Sequence, residues 1–193
     1  MNSLYESVNQ DSLLCEQCQN KLEPYFKKFR VGNATGLAIY RYDDNIKSLL
    51  YQLKGCGDVE LAPIFINRFK NEIHIMFNGY IVIPAPSYDE DDINRGFNHV
   101  VEIFKCINLP MYRYVYKKTR YKQSQFKSKQ RKDAIEHLGI DSNEKIKGKK
   151  VLIVDDVMTT GSTLRAMVSL IQKGHPKTIK ILVMSKREIK YDS

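Results

Sequence analysis

The 193-residue sequence has few cysteines and no long apolar run. No stretch approaches the roughly 18 apolar residues that a membrane-spanning helix needs, and the N-terminus lacks the charged and apolar regions of a signal peptide. Four cysteines in a chain of this length do not form a disulfide framework. These absences argue against the membrane-spanning and disulfide-rich secreted classes, and they predict a cytoplasmic protein without membrane insertion.

The composition is that of a globular protein with an excess of basic residues. Hydrophobic residues make up 42% and charged residues 27% of the chain, which is ordinary for a domain with a packed core. The net charge is +9 and the pI is near 9.3. A balance of this kind favours a polyanionic partner such as nucleic acid, although many basic proteins bind none.

Hydrophobic periodicity predicts strands and helices in alternation. The predicted strands are 36–42, 80–86, 113–118, 149–156 and 178–186, and the predicted helices are 44–58, 60–73, 98–109, 128–138 and 162–174. Alternation of this kind is typical of an α/β fold whose mostly parallel sheet has helices on both faces. Residues 1–35 do not follow it and are predicted to be a small N-terminal appendage to a main domain of residues 36–193.

One strand-to-helix connection combines two carboxylates with a series of hydroxyls. Asp155 and Asp156 follow the apolar run 151–154, and five small residues come next: Thr159, Thr160, Gly161, Ser162 and Thr163. Residues 159–163, here called the hydroxyl loop, precede a predicted helix whose first N–H groups are unpaired and attract anions. The carboxylates suit neutral hydroxyls or a magnesium ion beside that anion. A ligand with both features is a sugar phosphate.

The segment 149–163 resembles the 5-phosphoribosyl-1-pyrophosphate (PRPP) signature of type I phosphoribosyltransferases, and every position of that motif is filled. An ordinary strand end with a capped helix needs one hydroxyl or carboxylate rather than this series. The resemblance implies a type I phosphoribosyltransferase-like fold and a PRPP ligand carrying Mg²⁺. It also implies that Asp155 and Asp156 hold the ribose hydroxyls and that the hydroxyl loop holds the 5-phosphate.

Three further segments resemble the ComF family, which is associated with DNA uptake in natural transformation. They are IVIPAPSYDEDDINRGFNH, KKTRYKQSQFKSKQR and YDDNIKSLLYQLKGCGD, so the resemblance runs from about residue 36 to the C-terminus. In type I folds the loop after the second of the predicted strands binds pyrophosphate. Carried over to this chain, the diphosphate-binding residues are Pro84, Ala85, Pro86, Ser87 and Arg95.

Three positions depart from the ComF pattern. An acidic run, 89–92, stands where relatives carry basic residues, and it favours a solvated loop over a metal site. His99 replaces the usual Gln and is interpreted as an ordinary hydrogen-bonded helix residue. The N-terminal zinc module of the family has two C-x-x-C pairs, whereas this chain has only Cys15 and Cys18; two thiolates cannot close a tetrahedral site, so Zn²⁺ is not expected. Cys56 and Cys106 are interpreted as small core residues.

The segment 113–132 contains nine basic residues, no acidic one and interleaved aromatic rings. Cations that follow a phosphate backbone and rings that stack on bases are typical of single-stranded DNA binding. The candidate contacts are Lys117, Lys118, Arg120, Tyr121 and Lys122. In type I folds this segment corresponds to the mobile hood over PRPP, so a hood that meets only diphosphate and a solvated charged loop remain alternatives.

The sequence therefore predicts a PRPP-binding, ComF-type protein acting in DNA uptake, with single-stranded DNA and other competence proteins as candidate partners. An active phosphoribosyltransferase of nucleobase or nucleotide salvage is the alternative. A third hypothesis is a DNA-binding or docking module that keeps the PRPP pocket as a sensor or relic. Neither an acceptor substrate nor an oligomeric state follows from these residues.

Overall fold

The computed structural model describes residues 21–118, 138–141 and 143–188. Within them the strands are β1 Pro24–Val31, β2 Ala34–Arg41, β3 Tyr80–Pro84, β4 Val115–Lys117, β5 Leu138–Ile140, β6 Lys150–Met158 and β7 Thr178–Lys186. Five of them form the main sheet in the order β1-β2-β7-β6-β3, and β4 pairs with β5 in a separate antiparallel ribbon. All neighbours in the main sheet are parallel except β1 and β2. The predicted α/β class with a mostly parallel sheet is confirmed.

The described helices cover both faces of the main sheet. They are α1 Asp44–Gly55, α2 Lys70–Met76, α3 Asp89–Arg95, α4 His99–Phe104 and α5 Ser162–Gln172, with short 3-10 helices at Val59–Phe65, Asn67–Phe69, Lys105–Ile107 and Glu144–Ile146. The core on one face includes α1, α2 and α4, and the core on the other includes α5 and the β4–β5 ribbon. None of these described helices is long and apolar enough to cross a membrane.

β6 shows why this sheet has strands that are apolar on both sides. Val151 and Ile153 pack into the core that contains α5, whereas Leu152 and Val154 pack into the core that contains α1 and α4. Side chains alternate between the two faces along a strand, and both faces are covered here. The same alternation sends the next two side chains of the strand, both carboxylates, to opposite faces.

Two predicted elements differ from the structure. The helix predicted for 60–73 is divided into two 3-10 helices and α2, because Pro63 lies inside it and supplies no N–H for a regular α-helix. The strand predicted for 113–118 is only β4, which pairs with β5 instead of joining the main sheet. Residues 110–112 run beside β3 instead, with Val82 N donating to Pro110 O at 2.8 Å and Tyr112 N donating to Val82 O at 2.9 Å. The helix predicted for 128–138 lies outside the described residues apart from Leu138, which begins β5.

β1 was not predicted, although it lies within the segment assigned to the appendage. It is an edge strand with Lys27, Lys28 and Phe26 exposed, so its sequence lacks the apolar run that marks the inner strands. A register shift between Pro24 and Lys27 further obscures the alternation. Its antiparallel pairing with β2 joins this part of the segment to the sheet. The boundary at residue 35 stays a prediction, since residues 1–20 lie outside the described part of the chain.

Candidate ligand site at the carboxyl ends of β3 and β6

The candidate site lies where two neighbouring parallel strands end side by side. Pro84, at the end of β3, pairs with Val154 of β6, and Ala85 N donates to Val154 O at 2.8 Å. Residues 84–87, predicted to contact a diphosphate, therefore lie beside the two carboxylates of β6. Ligand sites of open α/β sheets occur at this edge, beyond the carboxyl ends of the strands.

Asp155 and Asp156 are adjacent in sequence but have different surroundings. Asp155 Oδ1 accepts a hydrogen bond from Asp156 N at 2.9 Å, and Asp156 Oδ1 accepts one from Val157 N at 2.7 Å. Asp156 is the more buried residue and is 7% exposed. Its side chain turns toward α1 and α4, as the alternation along β6 requires.

Two basic side chains, Lys54 and His99, contact Asp156, and Arg95 contacts both of these residues. We call Asp156 with these three residues the carboxylate network. Lys54 Nζ forms an ion pair with Asp156 Oδ2, and His99 Nε2 lies 3.4 Å from the same oxygen. Arg95 Nη1 lies 3.1 Å from His99 Nδ1, and Arg95 Nε donates to Lys54 O at 3.2 Å. A guanidinium can only donate, so His99 Nδ1 accepts and the ring proton lies on Nε2, facing Asp156. His99 is a hydrogen-bonded helix residue as predicted, but its partners belong to the candidate site.

The network separates the pKa values of the two carboxylates. Burial and the adjacent Asp156 carboxylate raise the pKa of Asp155 well above its usual range. Burial also acts to raise the pKa of Asp156, but the hydrogen bond from His99 and the positive charge of Lys54 outweigh it and hold that pKa below its usual range. Asp156 is therefore the ionised member of the pair, and Asp155 is the one that takes up a proton more readily.

The acidic run 89–92 is a helical turn rather than a loop. It forms the first turn of α3, where carboxylates favour the unpaired N–H groups of the helix. Asp92 is buried and accepts from Asn98 Nδ2 at 2.8 Å, from Arg113 Nη2 at 2.9 Å and from Ser87 Oγ. The interpretation as a solvated loop is wrong for Asp92, because these donors replace the water that it loses on burial.

Arg95 connects the carboxylate network to Asp92. Its Nη1 atom lies 3.7 Å from Asp92 Oδ1 as well as beside His99, and its side chain is 14% exposed. This guanidinium therefore connects Asp92 of α3 with His99 of α4 and with the end of α1. Its predicted contact with a diphosphate stays a prediction.

The hydroxyl loop is exposed and turns at a left-handed glycine. Gly161 has φ +71°, and a Cβ there would lie 2.9 Å from Met158 Cε. Thr159, Thr160 and Ser162 are exposed, and Thr163 is half-buried. The 11-residue α5 begins directly after the glycine, so its first N–H groups lie beside these hydroxyls.

The sequence analysis missed three of the polar residues at this edge. Lys54 lies at the end of α1 within a quoted ComF-like segment, and Arg165 lies one turn into α5, where its Nη2 donates to Thr160 O at 2.7 Å. Asp92 was hidden within a run of acidic residues. Cys56 is exposed, contrary to the interpretation as a core residue, whereas Cys106 is partly buried.

Two of the predicted nucleic-acid contacts are described. Lys117 Nζ lies 4.3 Å from the ring centre of Tyr88, next to the loop after β3, and Lys118 is exposed. The other predicted nucleic-acid contacts, Arg120, Tyr121 and Lys122, lie outside the described residues. The two cysteines considered as metal ligands, Cys15 and Cys18, also lie outside them.

Residues 95–192, about half of the chain, match the family model described as the phosphoribosyl transferase domain, and the chain belongs to that family. Its fold is the type I phosphoribosyltransferase-like α/β fold, in which the parallel strands of the main sheet carry the loops described above.

Among individual proteins, the chain is similar to two proteins named competence protein ComFC. The one from Bacillus subtilis is 28% identical over 149 residues, which are 74% of this chain and 60% of that protein. The one from Streptococcus pneumoniae is 26% identical over 174 residues, 88% of this chain and 73% of that protein. A hypoxanthine phosphoribosyltransferase structure from Staphylococcus aureus aligns with a TM-score of 0.45 and 13% identity, covering 68% of each chain. The resemblance to the ComF family is confirmed as a distant homology.

Proposed function

We propose that this chain binds PRPP with Mg²⁺ at the carboxyl ends of β3 and β6 and acts in DNA uptake from a cytoplasmic location. The observation that carries the binding proposal is the meeting of a buried ionised carboxylate with an exposed hydroxyl loop at one sheet edge. The role in natural transformation is supported by the similarity to proteins named competence protein ComFC, and other competence proteins are the partners that this role implies.

In this proposal the 5-phosphate, the ribose and the diphosphate of PRPP each contact a different part of the site. The hydroxyl loop and the first turn of α5 hold the 5-phosphate, with Arg165 as an additional cation. Asp155 and Asp156 accept hydrogen bonds from the ribose hydroxyls, because carboxylate oxygens are acceptors and each hydroxyl supplies an O–H donor. The loop 84–87 lies on the neighbouring strand end and holds the diphosphate. A sugar with phosphate groups at both ends matches this order of donors and acceptors.

Magnesium fits this site as an ion brought by the ligand rather than as one held by the protein alone. The part of the chain that the structure describes contains no group of three or more His, Cys, Asp or Glu residues placed to hold a metal. Mg²⁺ is commonly bound by one or two carboxylates together with water and substrate phosphates. Asp156 is paired with Lys54, whereas Asp155 forms no ion pair with a lysine in the described contacts. Asp155 is therefore the better candidate for a magnesium ligand. The ion would neutralise charge on the diphosphate.

The same arrangement can support phosphoribosyl transfer. The transfer develops positive charge on the ribose, and a fixed negative charge beside the ribose stabilises that state. Asp156 is held ionised by its network and carries such a charge. An acceptor for the transferred ribosyl group does not follow from these residues, so binding is the core of the proposal and salvage chemistry is its alternative.

Titration calorimetry with PRPP in the presence of Mg²⁺ tests the proposal. The wild-type protein should bind, and the double variant Asp155→Asn with Asp156→Asn should bind at least tenfold more weakly, because hydrogen bonds to charged groups contribute about 1.5–3 kcal/mol each. The matched control is Glu60→Gln with Glu72→Gln, which removes two exposed carboxylates of the 3-10 helix Val59–Phe65 and of α2 and should leave affinity unchanged. Equal affinities of the folded site variant and the wild type would contradict the proposal.

Contact with single-stranded DNA is a second part of the proposal, favoured by an aromatic pair. Tyr112 and Tyr114 stack with ring centres 5.0 Å apart and planes 6° apart. Lys145 Nζ lies 5.4 Å from the ring centre of Tyr114, and the exposed rings of Tyr112 and Tyr116 offer surfaces for bases. Stacking on such rings together with nearby cations binds single strands with little sequence preference.

Fluorescence anisotropy of a labelled single-stranded oligonucleotide across a salt series tests this second part. The logarithm of affinity should fall with the logarithm of salt concentration with a slope of about −0.7 for each phosphate contacted. The variant with Lys117, Lys118, Arg120 and Lys122 replaced by Ala should show a flatter slope. Absence of binding at low salt would contradict DNA contact, and an unchanged slope in the variant would locate it elsewhere on the chain.

A further inference from the structure

Lys54 forms an ion pair with Asp156, the carboxylate that the proposed function assigns to the ribose hydroxyls. Its ammonium pairs with Asp156 Oδ2, and the proposed ribose hydroxyls need access to the same carboxylate. We propose that Lys54 is a specificity-determining residue that leaves Asp156 for the diphosphate when PRPP binds, so that the site selects PRPP over ribose 5-phosphate. This inference rests on the proposed function and adds the residue that distinguishes the two ligands.

The local structure allows the ammonium to move while its backbone stays fixed. Arg95 Nε donates to Lys54 O at 3.2 Å, which holds the main chain at the end of α1. The Lys54 side chain is 33% exposed and lines a polar pocket of about 520 Å³ together with Gly55, Gly57 and Asn94. A lysine has a flexible four-carbon stem, so its charge can be redirected without rearranging the helix.

Asp156 keeps one hydrogen bond and one close polar contact after Lys54 leaves. His99 Nε2 lies 3.4 Å from Asp156 Oδ2, and Val157 N donates to the other carboxylate oxygen at 2.7 Å. Val157 N is a main-chain group and the His99 side chain is buried, so neither contact depends on the position of the Lys54 side chain. The carboxylate therefore keeps part of its stabilisation while its contact with the lysine is replaced by contacts with ribose hydroxyls.

The charge of the ligand decides whether this exchange is favourable. A neutral ribose hydroxyl cannot replace the positive charge that Asp156 loses when Lys54 moves away. The displaced Lys54 ammonium then has only water as a partner unless the ligand supplies an anion. In PRPP the diphosphate is bonded to the ribose carbon next to the one that carries the 2-hydroxyl, so an anion stands within reach of the displaced lysine. Ribose 5-phosphate has a hydroxyl at that carbon and supplies no such anion. Charged pairs of this kind form the stronger hydrogen bonds.

Calorimetric titration of the wild type and of Lys54→Met with PRPP and with ribose 5-phosphate, both with Mg²⁺, tests the inference. The ratio of the two affinities should fall at least tenfold in the variant. The fall should come from weaker binding of PRPP, while ribose 5-phosphate binds as well as before or more tightly, because it no longer displaces a lysine. Lys47→Met is the matched control, since Lys47 is an exposed lysine of the same helix, and it should keep the wild-type ratio.

A second variant keeps the test decisive if Lys54→Met fails to fold. Lys54→Gln retains an N–H donor for Asp156 but carries no charge for a diphosphate, so the same loss of selectivity is expected. An unchanged affinity ratio in the folded variants, or an equal weakening of both ligands, would overturn the inference while leaving PRPP binding intact. A wild-type protein that binds neither ligand would overturn the proposed function itself.

Discussion

The carboxylate network and the hydroxyl loop lie at the same end of β6, yet they are built differently. Asp156 is 7% exposed and is held by side chains from α1 and α4. The hydroxyl loop has exposed side chains, and its described hydrogen bonds stay within the loop and α5, as in the 3.4 Å contact between Ser162 N and Thr160 Oγ1. The carboxylate network is thus connected to the core by ion pairs and polar contacts, whereas the side chains of the hydroxyl loop are exposed to solvent.

This difference indicates that the two halves contribute unequally to folding and to binding. A buried ion pair strongly destabilises a protein when one partner is removed, because the remaining charge is left without compensation. Exposed hydroxyls with water as an alternative partner contribute little to stability. Substitutions in the network should therefore lower both stability and ligand affinity, whereas substitutions of the exposed hydroxyl side chains in the hydroxyl loop should lower affinity alone.

The largest effect on stability is expected for Asp156→Ala. Removal of this carboxylate leaves Lys54 without its ion-pair partner. The free energy of unfolding should fall by about 3 kcal/mol, at the lower end of the range for broken buried pairs because Lys54 is partly solvated. Urea denaturation of the variant and the wild type measures the difference. A loss as small as that of the exposed Asp89→Ala would show that the network does not stabilise the fold.

Gly161→Val should weaken PRPP binding at least tenfold, and its loss of stability should be smaller than that of Asp156→Ala. The new side chain would stand in the hydroxyl loop and force a β-branched residue into a left-handed conformation, which costs about 1–2 kcal/mol. Gly148→Val is the matched control, because Gly148 also has a positive φ, of +68°, but has no atom within 4 Å of a Cβ. Both variants should lose similar stability by thermal unfolding, and only Gly161→Val should lose affinity by calorimetry. Equal affinities of the two variants would contradict a binding role for the loop.

Asp155→Asn should stabilise the protein at neutral and mildly alkaline pH. The folded protein raises the pKa of Asp155, so its contribution to stability is complete below the pKa of the unfolded chain and is lost as pH rises through the folded pKa. Asn removes that loss. The melting temperature of the variant should exceed that of the wild type at pH 8, and the gain should shrink toward pH 4. A difference between the two proteins that does not vary with pH would contradict the assignment of a raised pKa to Asp155.

The smallest effect is expected for Arg165→Gln. This exposed guanidinium donates to Thr160 O at 2.7 Å, and its proposed ion pair with the 5-phosphate would be an exposed one, which contributes about 0.2–1 kcal/mol. PRPP affinity should therefore fall by no more than about fivefold, with stability unchanged. Lys173→Gln, at the other end of α5, should leave calorimetric affinity unchanged. If the control lost as much affinity as Arg165→Gln, the effect would arise from the lower net charge of the protein and not from a local contact of Arg165.

The local structure of the hydroxyl loop was easier to predict from the sequence than the contacts of the carboxylate network. The hydroxyl loop is contiguous, so its residues and the helix after it could be read from one segment. The carboxylate network joins residues that are far apart in the chain, such as Lys54 and Asp156, and their contact depends on how α1 packs against β6. The same reason explains β1, whose edge position leaves no apolar run, and Asp92, whose partners Asn98 and Arg113 become neighbours only after folding.

The central claim is the location of PRPP, and amide chemical shifts of the ¹⁵N-labelled protein test it most directly. On titration with PRPP and Mg²⁺, the largest changes should occur at the amides of 155–164 and of Ala85, Ser87 and Tyr88, at the ends of β6 and β3. The amides of β1, at the far edge of the sheet, should change little. Saturable changes confined to other parts of the chain, or no changes at 155–164 at ligand concentrations that saturate calorimetric binding, would contradict the account.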